Sequence, residues 1–85
     1  MNGETMLKRA ANVVAKRRKL YGDPAASMEA VARRWSITLG RPVTPAEVVL
    51  CLIDLKLTRL AHNPSHQDSI LDVAGYAAVL QEVTR

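Results

Sequence analysis

The sequence predicts an all-α fold, a small four-helix bundle in which residues 1–85 form a single domain. Three observations predict it. Apolar residues recur at i, i+3 and i+4 spacing in successive segments. Helix-stop residues separate those segments, at Tyr21-Gly22-Asp23-Pro24, Gly40-Arg41-Pro42 and Asn63-Pro64. No stretch alternates with period two over a useful length, and no repeat, low-complexity tract or linker interrupts the pattern.

The first helix is expected over Thr5 to Leu20, with Thr5 as its N-cap and Met6, Ala10, Val13, Val14 and Leu20 on its apolar face. Gly22 suits a left-handed C-terminal position, and Pro24 blocks continuation. The second helix is expected from about Ser27, as cap, to Leu39. Its stripe is Met28, Val31, Ala32, Trp35 and Leu39, with Trp35 as a core anchor and Arg33 and Arg34 facing outward. The third has the clearest start. Thr44-Pro45-Ala46-Glu47 reads as a capping box with proline at the first helical position. The segment that follows is apolar around most of its circumference, which predicts the central and most buried helix. The fourth is expected from Ser65 or His66 to about Val83, with Gly75 inside it at a cost of up to ~1 kcal/mol relative to alanine. Loops of roughly four to seven residues join these helices, as in bundles.

Eighty-five residues bury only a thin core, so the chain is expected to be a homo-oligomer. One cysteine, Cys51, lies in an apolar run. It cannot form an internal disulfide, and the expected role is a small core residue in a reducing compartment. The apolar runs are too short to span a bilayer, and charges at Glu4, Lys8 and Arg9 leave no room for a signal peptide's apolar region. The expectation is a soluble cytoplasmic protein with no membrane partner. The net charge of +4 is concentrated early: Lys8, Arg9, Lys16, Arg17, Arg18 and Lys19 face only Glu4. A basic first helix reads either as a solvated face or as an anion-binding surface, with Lys16, Arg17 and Arg18 its candidate residues.

The densest chemistry lies between Asp54 and Tyr76. Lys56 and Arg59 share one face of the third helix, and Asp68 and Asp72 share one face of the fourth. A tight antiparallel turn at Pro64 brings these faces together. Lys56 falls opposite Val73 and Arg59 opposite Ile70, so Asp72 comes within reach of both cations. Two readings stand: an ion-pair lock fixing helix register, or the floor of a phosphate-binding site in which an arginine binds bidentately. Gly22 and Gly75 would leave backbone uncovered beside such a site, and Tyr21 and Tyr76 could enclose a base. No metal centre is expected. Glu47 is occupied by its cap, and His62 and His66 flank the Asn63-Pro64 turn at the surface. Gly-x-Ser-x-Gly turns, P-loops, Gly-rich dinucleotide loops and base-reading helices are all absent. Nucleic acid is not favoured as partner, because aromatic platforms are scarce.

The ordered set Leu20-Tyr21-Gly22-Asp23-Pro24, Ala32 to Trp35, Leu55-Lys56-Leu57-x-Arg59, Asp68, and Asp72-x-x-Gly75-Tyr76-Ala77 resembles a family of small phage and prophage domains of unassigned biochemistry. It is also distantly similar to phage nucleotide-modification-associated domains. Those share a Tyr-Gly near the start, a Lys-x-x-Arg helix and an Asp-x-x-x-Tyr-Ala helix. The resemblance implies a phage-encoded, nucleotide-related protein acting in the host cytoplasm. Its matched positions are Tyr21, Gly22, Asp23, Trp35, Lys56, Arg59, Asp68, Asp72 and Tyr76.

Three functions are weighed. The first is a non-catalytic binder that sequesters a nucleotide immune signal, an anti-defence sponge, with ligand contacts at Tyr21, Gly22, Asp23, Lys56, Arg59, Asp72 and Tyr76 and no cofactor. The second is a MazG-like, magnesium-dependent nucleotide pyrophosphohydrolase. Enzymes of that type carry Glu-Glu-x-x-Asp/Glu and Glu-x-x-Asp motifs that this chain lacks, which turns the expectation away from catalysis. The third is an adaptor that grips an acidic protein or nucleic acid through the basic first helix.

Overall fold

The computed structural model describes residues 1–85. It contains four helices and no strand: α1 (Gly3–Tyr21), α2 (Pro24–Leu39), α3 (Pro45–His62) and α4 (Gln67–Thr84). The all-α bundle expected from the periodicity is what forms.

Each helix begins on a side chain that accepts from one of its free amides, and two begin earlier than the sequence predicts. For α1 the cap is Asn2, not Thr5. Asn2 has extended backbone, and its Oδ1 accepts from the Thr5 amide at 2.8 Å. For α2 the cap is Asp23, not Ser27. Asp23 Oδ1 accepts from the Ala25 amide at 3.1 Å, and Pro24 fills the first turn, where it needs no N–H. The loop between α1 and α2 is therefore only Gly22 and Asp23, shorter than expected. Gly22 sits at φ +84°, a backbone conformation that favours glycine, and its amide closes α1 on the Arg18 carbonyl. Pro24 starts the next helix and Gly22 ends the previous one.

The α3 capping box forms as read. Thr44 Oγ1 accepts from the Glu47 amide at 3.1 Å, and Glu47 Oε1 accepts from the Thr44 amide at 2.9 Å. The backbone bond to Thr44 is the main reason the Glu47 carboxyl is held below the usual glutamate range. The α2–α3 loop is closed by Ser36, whose Oγ donates to the Ala32 carbonyl at 2.7 Å and accepts from the Val43 amide at 2.9 Å. For α4 the cap is His66. Its Nδ1 accepts from the Ser69 amide at 3.3 Å and lies 2.8 Å from Ser69 Oγ. That pairing accounts for the one fully enclosed polar residue, Ser69.

The packing is sparse. Only six residues are buried (Ala10, Ala32, Val48, Val49, Ser69 and Leu71), so the core is as thin as the length implies. Val48 and Val49 are fully enclosed, which makes the first turns of α3 the deepest part of the molecule. α3 packs against α2 on one side and α4 on the other. α1 lies on α4, touches α2 only slightly, and does not pack on α3.

That arrangement corrects two expectations. α3 is central but not surrounded: Leu50, Cys51, Asp54, Leu55, Leu57 and Thr58 are all exposed, because no helix covers its outer face. Cys51 is thus a surface residue and not a core one. Leu20 and Leu39, expected on apolar stripes, are also exposed, because they end their helices beyond the packed region. Trp35 is half-buried.

Two outcomes follow from these contacts. Because the folded-state pKa of Glu47 is depressed, its contribution is complete above the ordinary glutamate pKa and is lost as pH falls through the lowered value. Urea melts of the parent chain and Glu47→Gln should therefore converge on acidification, while Thr44→Ala should cost about 1 kcal/mol near neutrality. Gly75 is the second case. A Cβ there would meet Val14 Cγ2 at 3.7 Å, an ordinary contact. Gly75→Ala should stabilise the chain by roughly 0.5–1 kcal/mol in the same melts.

Candidate functional site

α1 and α3 do not pack on one another, and a cavity occupies the space between them. Its volume is about 340 Å³. The C-terminal half of α1 supplies Val13, Val14, Arg17, Arg18 and Tyr21. Gly22, Pro24, Ser27 and Met28 come from the tight corner and the start of α2. The deep side is Leu52 of α3 with Leu71, Asp72, Gly75, Tyr76 and Val79 of α4. The i, i+3, i+4 spacing of Asp72, Gly75, Tyr76 and Val79 is what presents them together from one helix face.

Electrostatically the site has two poles. At one, Lys56 Nζ lies 3.1 Å from Asp72 Oδ2, joining α3 to α4. Both side chains are largely shielded, at 13% and 28% exposure, so the pair is less screened than a surface one. At the other, Arg18 Nη2 donates to Glu82 Oε1 at 3.0 Å, joining α1 to α4, and Glu82 Oε2 also meets Arg85 at 3.2 Å. Asp72 and Glu82 are ten residues apart on α4, on the order of 15 Å along its axis. Arg17 lines the cavity, is exposed and forms no ion pair.

The geometry sorts the residues singled out in the sequence. Tyr21, Gly22, Asp72 and Tyr76 line the cavity, as do Arg17 and Arg18, so residues from opposite ends of the chain meet there. Lys56 stands behind the wall, holding Asp72. Tyr21 is 75% exposed, leaving its ring free at the rim, whereas Tyr76 is half-buried. Asp23 does not line the cavity; its carboxylate is spent on capping α2. Arg59 and Asp68 are exposed without ion pairs, so Asp72 meets Lys56 but not Arg59. Lys16 lies outside the lining. No three His, Cys, Asp or Glu side chains converge as a cation site.

Sequence reasoning missed the apolar walls (Val13, Val14, Met28, Leu52, Leu71 and Val79), together with Ser27 and the Glu82 partner of Arg18. The walls carry the same helical periodicity as a core and are not distinguishable from one. Ser27 was findable: Asp23-Pro24 has the same cap-then-proline grammar as Thr44-Pro45 and would have placed Ser27 inside α2.

No helix is long and apolar enough to cross a membrane. Among curated proteins, the chain is 39% identical to the Gene 55 protein of Mycobacterium phage L5 over 64 residues, 74% of this chain and 41% of that protein. It is 28% identical to the Gene 55 protein of Mycobacterium phage D29 over 81 residues, 94% of this chain and 54% of that protein. The chain thus spans about half the length of the curated relatives it matches. No solved structure matches it. A family model matches residues 5–84, nearly the whole chain, and the protein belongs to that family, the Domain of unknown function (DUF6378).

Proposed function

We propose that this is a phage-encoded protein that binds a nucleotide or nucleotide-derived signal in the α1–α2–α4 cavity and sequesters it without turning it over. The observation that carries the reading is the composition of one cavity. Apolar walls, two tyrosines, a free guanidinium and a shielded carboxylate meet in about 340 Å³. Small-molecule sites are built this way, with mostly apolar linings and a few convergent polar groups. Tyr21 and Tyr76 offer faces for a base, and Arg17 and Arg18 offer donors for phosphate. Gly75 adds support. Packing does not require glycine there, and it costs helix stability, yet it keeps the wall open where an alanine methyl would stand. The resemblance to phage nucleotide-modification-associated domains points to the same ligand class.

Sequestration without turnover fits the disposition of the carboxylates. Glu47 serves its cap and Asp72 serves Lys56, while Asp54 and Asp68 face solvent. Magnesium-dependent phosphoryl chemistry draws on several carboxylates at one point.

The protein acts as a homo-oligomer in this reading. Leu50, Leu57 and Ala61 recur along the uncovered face of α3; such a face on a thin-cored domain is suited to burial against another copy. The basic side of α1 supports a second reading as an adaptor for an acidic partner, since Lys8, Lys16 and Lys19 are exposed and unpaired.

Isothermal titration of the full chain against a nucleotide panel should give heat with at least one member. Gly75→Ala should weaken that binding while leaving the fold at least as stable. Silence across the panel at high protein concentration would sink the reading. Lys16→Glu with Lys19→Glu should leave nucleotide binding intact, and loss of nucleotide binding in that variant would move the site from the cavity to the basic side of α1. In sedimentation, Leu57→Lys should lower the molecular mass of the parent assembly; a parent chain that already runs as a monomer contradicts the oligomer.

A further inference from the structure

We infer that the cavity selects a nucleotide with one base and one phosphate group, the phosphate either terminal or closed into a ring, over dinucleotides and polyphosphates. This rests on the nucleotide reading above and narrows it.

The size sets the first limit. About 340 Å³ lies near the floor of the ~300–1,000 Å³ typical of small-molecule sites, room for one nucleoside and not two. The charge layout sets the second. The cationic pole holds two guanidiniums. Arg17 is unpaired, and Arg18 commits one nitrogen to Glu82, leaving other donors of its fork unused. Glu82 is itself shared with Arg85, so its hold on Arg18 is divided. Two guanidiniums match the oxygens of a single phosphate.

The other pole is acidic. Asp72 gives Oδ2 to Lys56, and its second carboxylate oxygen makes no hydrogen bond. An acceptor at a cavity wall suits a ligand donor, here an exocyclic amine of the base. It disfavours a second phosphate reaching that end of the cavity, as the far phosphate of a dinucleotide would. Lys56 offsets part of that repulsion, but its ammonium is behind Asp72 and not on the lining. The poles are on the order of 15 Å apart along α4, and the wall between them is apolar. The ligand therefore runs from phosphate at Arg17 and Arg18, across a base against Tyr76 and Val79, to a donor at Asp72.

The test is a competition series on the full chain. The probes are the four common nucleoside 5′-monophosphates, their 3′,5′-cyclic forms, the matching triphosphates, ADP-ribose and a cyclic dinucleotide. At least one single-phosphate compound should bind at least tenfold more tightly than its triphosphate and than either two-base or two-phosphate ligand. The linear and cyclic arms show which source of the single phosphate is preferred. Arg17→Ala, at an exposed position, should weaken that compound about tenfold or more. Asp72→Asn should narrow the gap between that compound and the cyclic dinucleotide. Tighter binding of a triphosphate, ADP-ribose or the dinucleotide overturns this inference and leaves the nucleotide reading standing. Failure of every compound overturns both. Unchanged affinity in Arg17→Ala overturns the assigned phosphate end.

Discussion

The 3.1 Å contact between Lys56 and Asp72 fixes α3 against α4, and the other helices are arranged around that pair. The two residues lie eight positions either side of Pro64, so the contact sets the register of the antiparallel pair as well as joining it. With one partner 13% and the other 28% exposed, neither charge is fully hydrated, and removing one would leave the other poorly solvated. α2 then covers one flank of α3, and the Ser36 hydroxyl closes the corner by bonding both its own helix and Val43. The same carboxylate that locks the pair also faces the cavity. Lock and site are one feature, and an ion pair of this kind holds a ligand-facing acceptor in place before any ligand arrives.

α1 is held differently. It packs on α4 and is tied to it by the Arg18–Glu82 bridge, and it reaches no part of α3 by direct packing. In a closed bundle a fourth helix would fill that space. Here α1 packs on α4 and touches α2 but not α3, and the unfilled volume is the cavity. The price is a core of six residues, which leaves much apolar surface on α1 and α3 exposed.

Much of the helical framework was legible because capping chemistry is local. Thr44 and Glu47 announce α3 within four residues, and the Lys56–Asp72 contact follows from counting outward from Pro64. Asp23-Pro24 was misread because proline serves equally as a stop and as a first helical residue, and only the carboxylate before it distinguishes the two. The exposure of Cys51 was not legible. A helix apolar on all sides reads as buried, whereas burial depends on which neighbours exist, and no neighbour covers the outer face of α3. Half of the cavity was visible as tyrosines, arginines and Asp72. Its apolar half was hidden, since a wall of Val, Leu and Met has the pattern of a core until the packing is seen. The Arg18–Glu82 bridge spans sixty-four residues of sequence, beyond any local spacing rule.

If one ligand occupies the α1–α2–α4 cavity, amide chemical-shift mapping of the labelled chain with a bound nucleotide will locate it there. Shifts should concentrate at Val13 to Gly22, Ser27, Met28, Leu52 and Leu71 to Val79, with Leu50, Asp54 and Leu57 on the outer face of α3 unmoved. Shifts confined to the outer face of α3, or to Lys8 and the basic side of α1 alone, would contradict it.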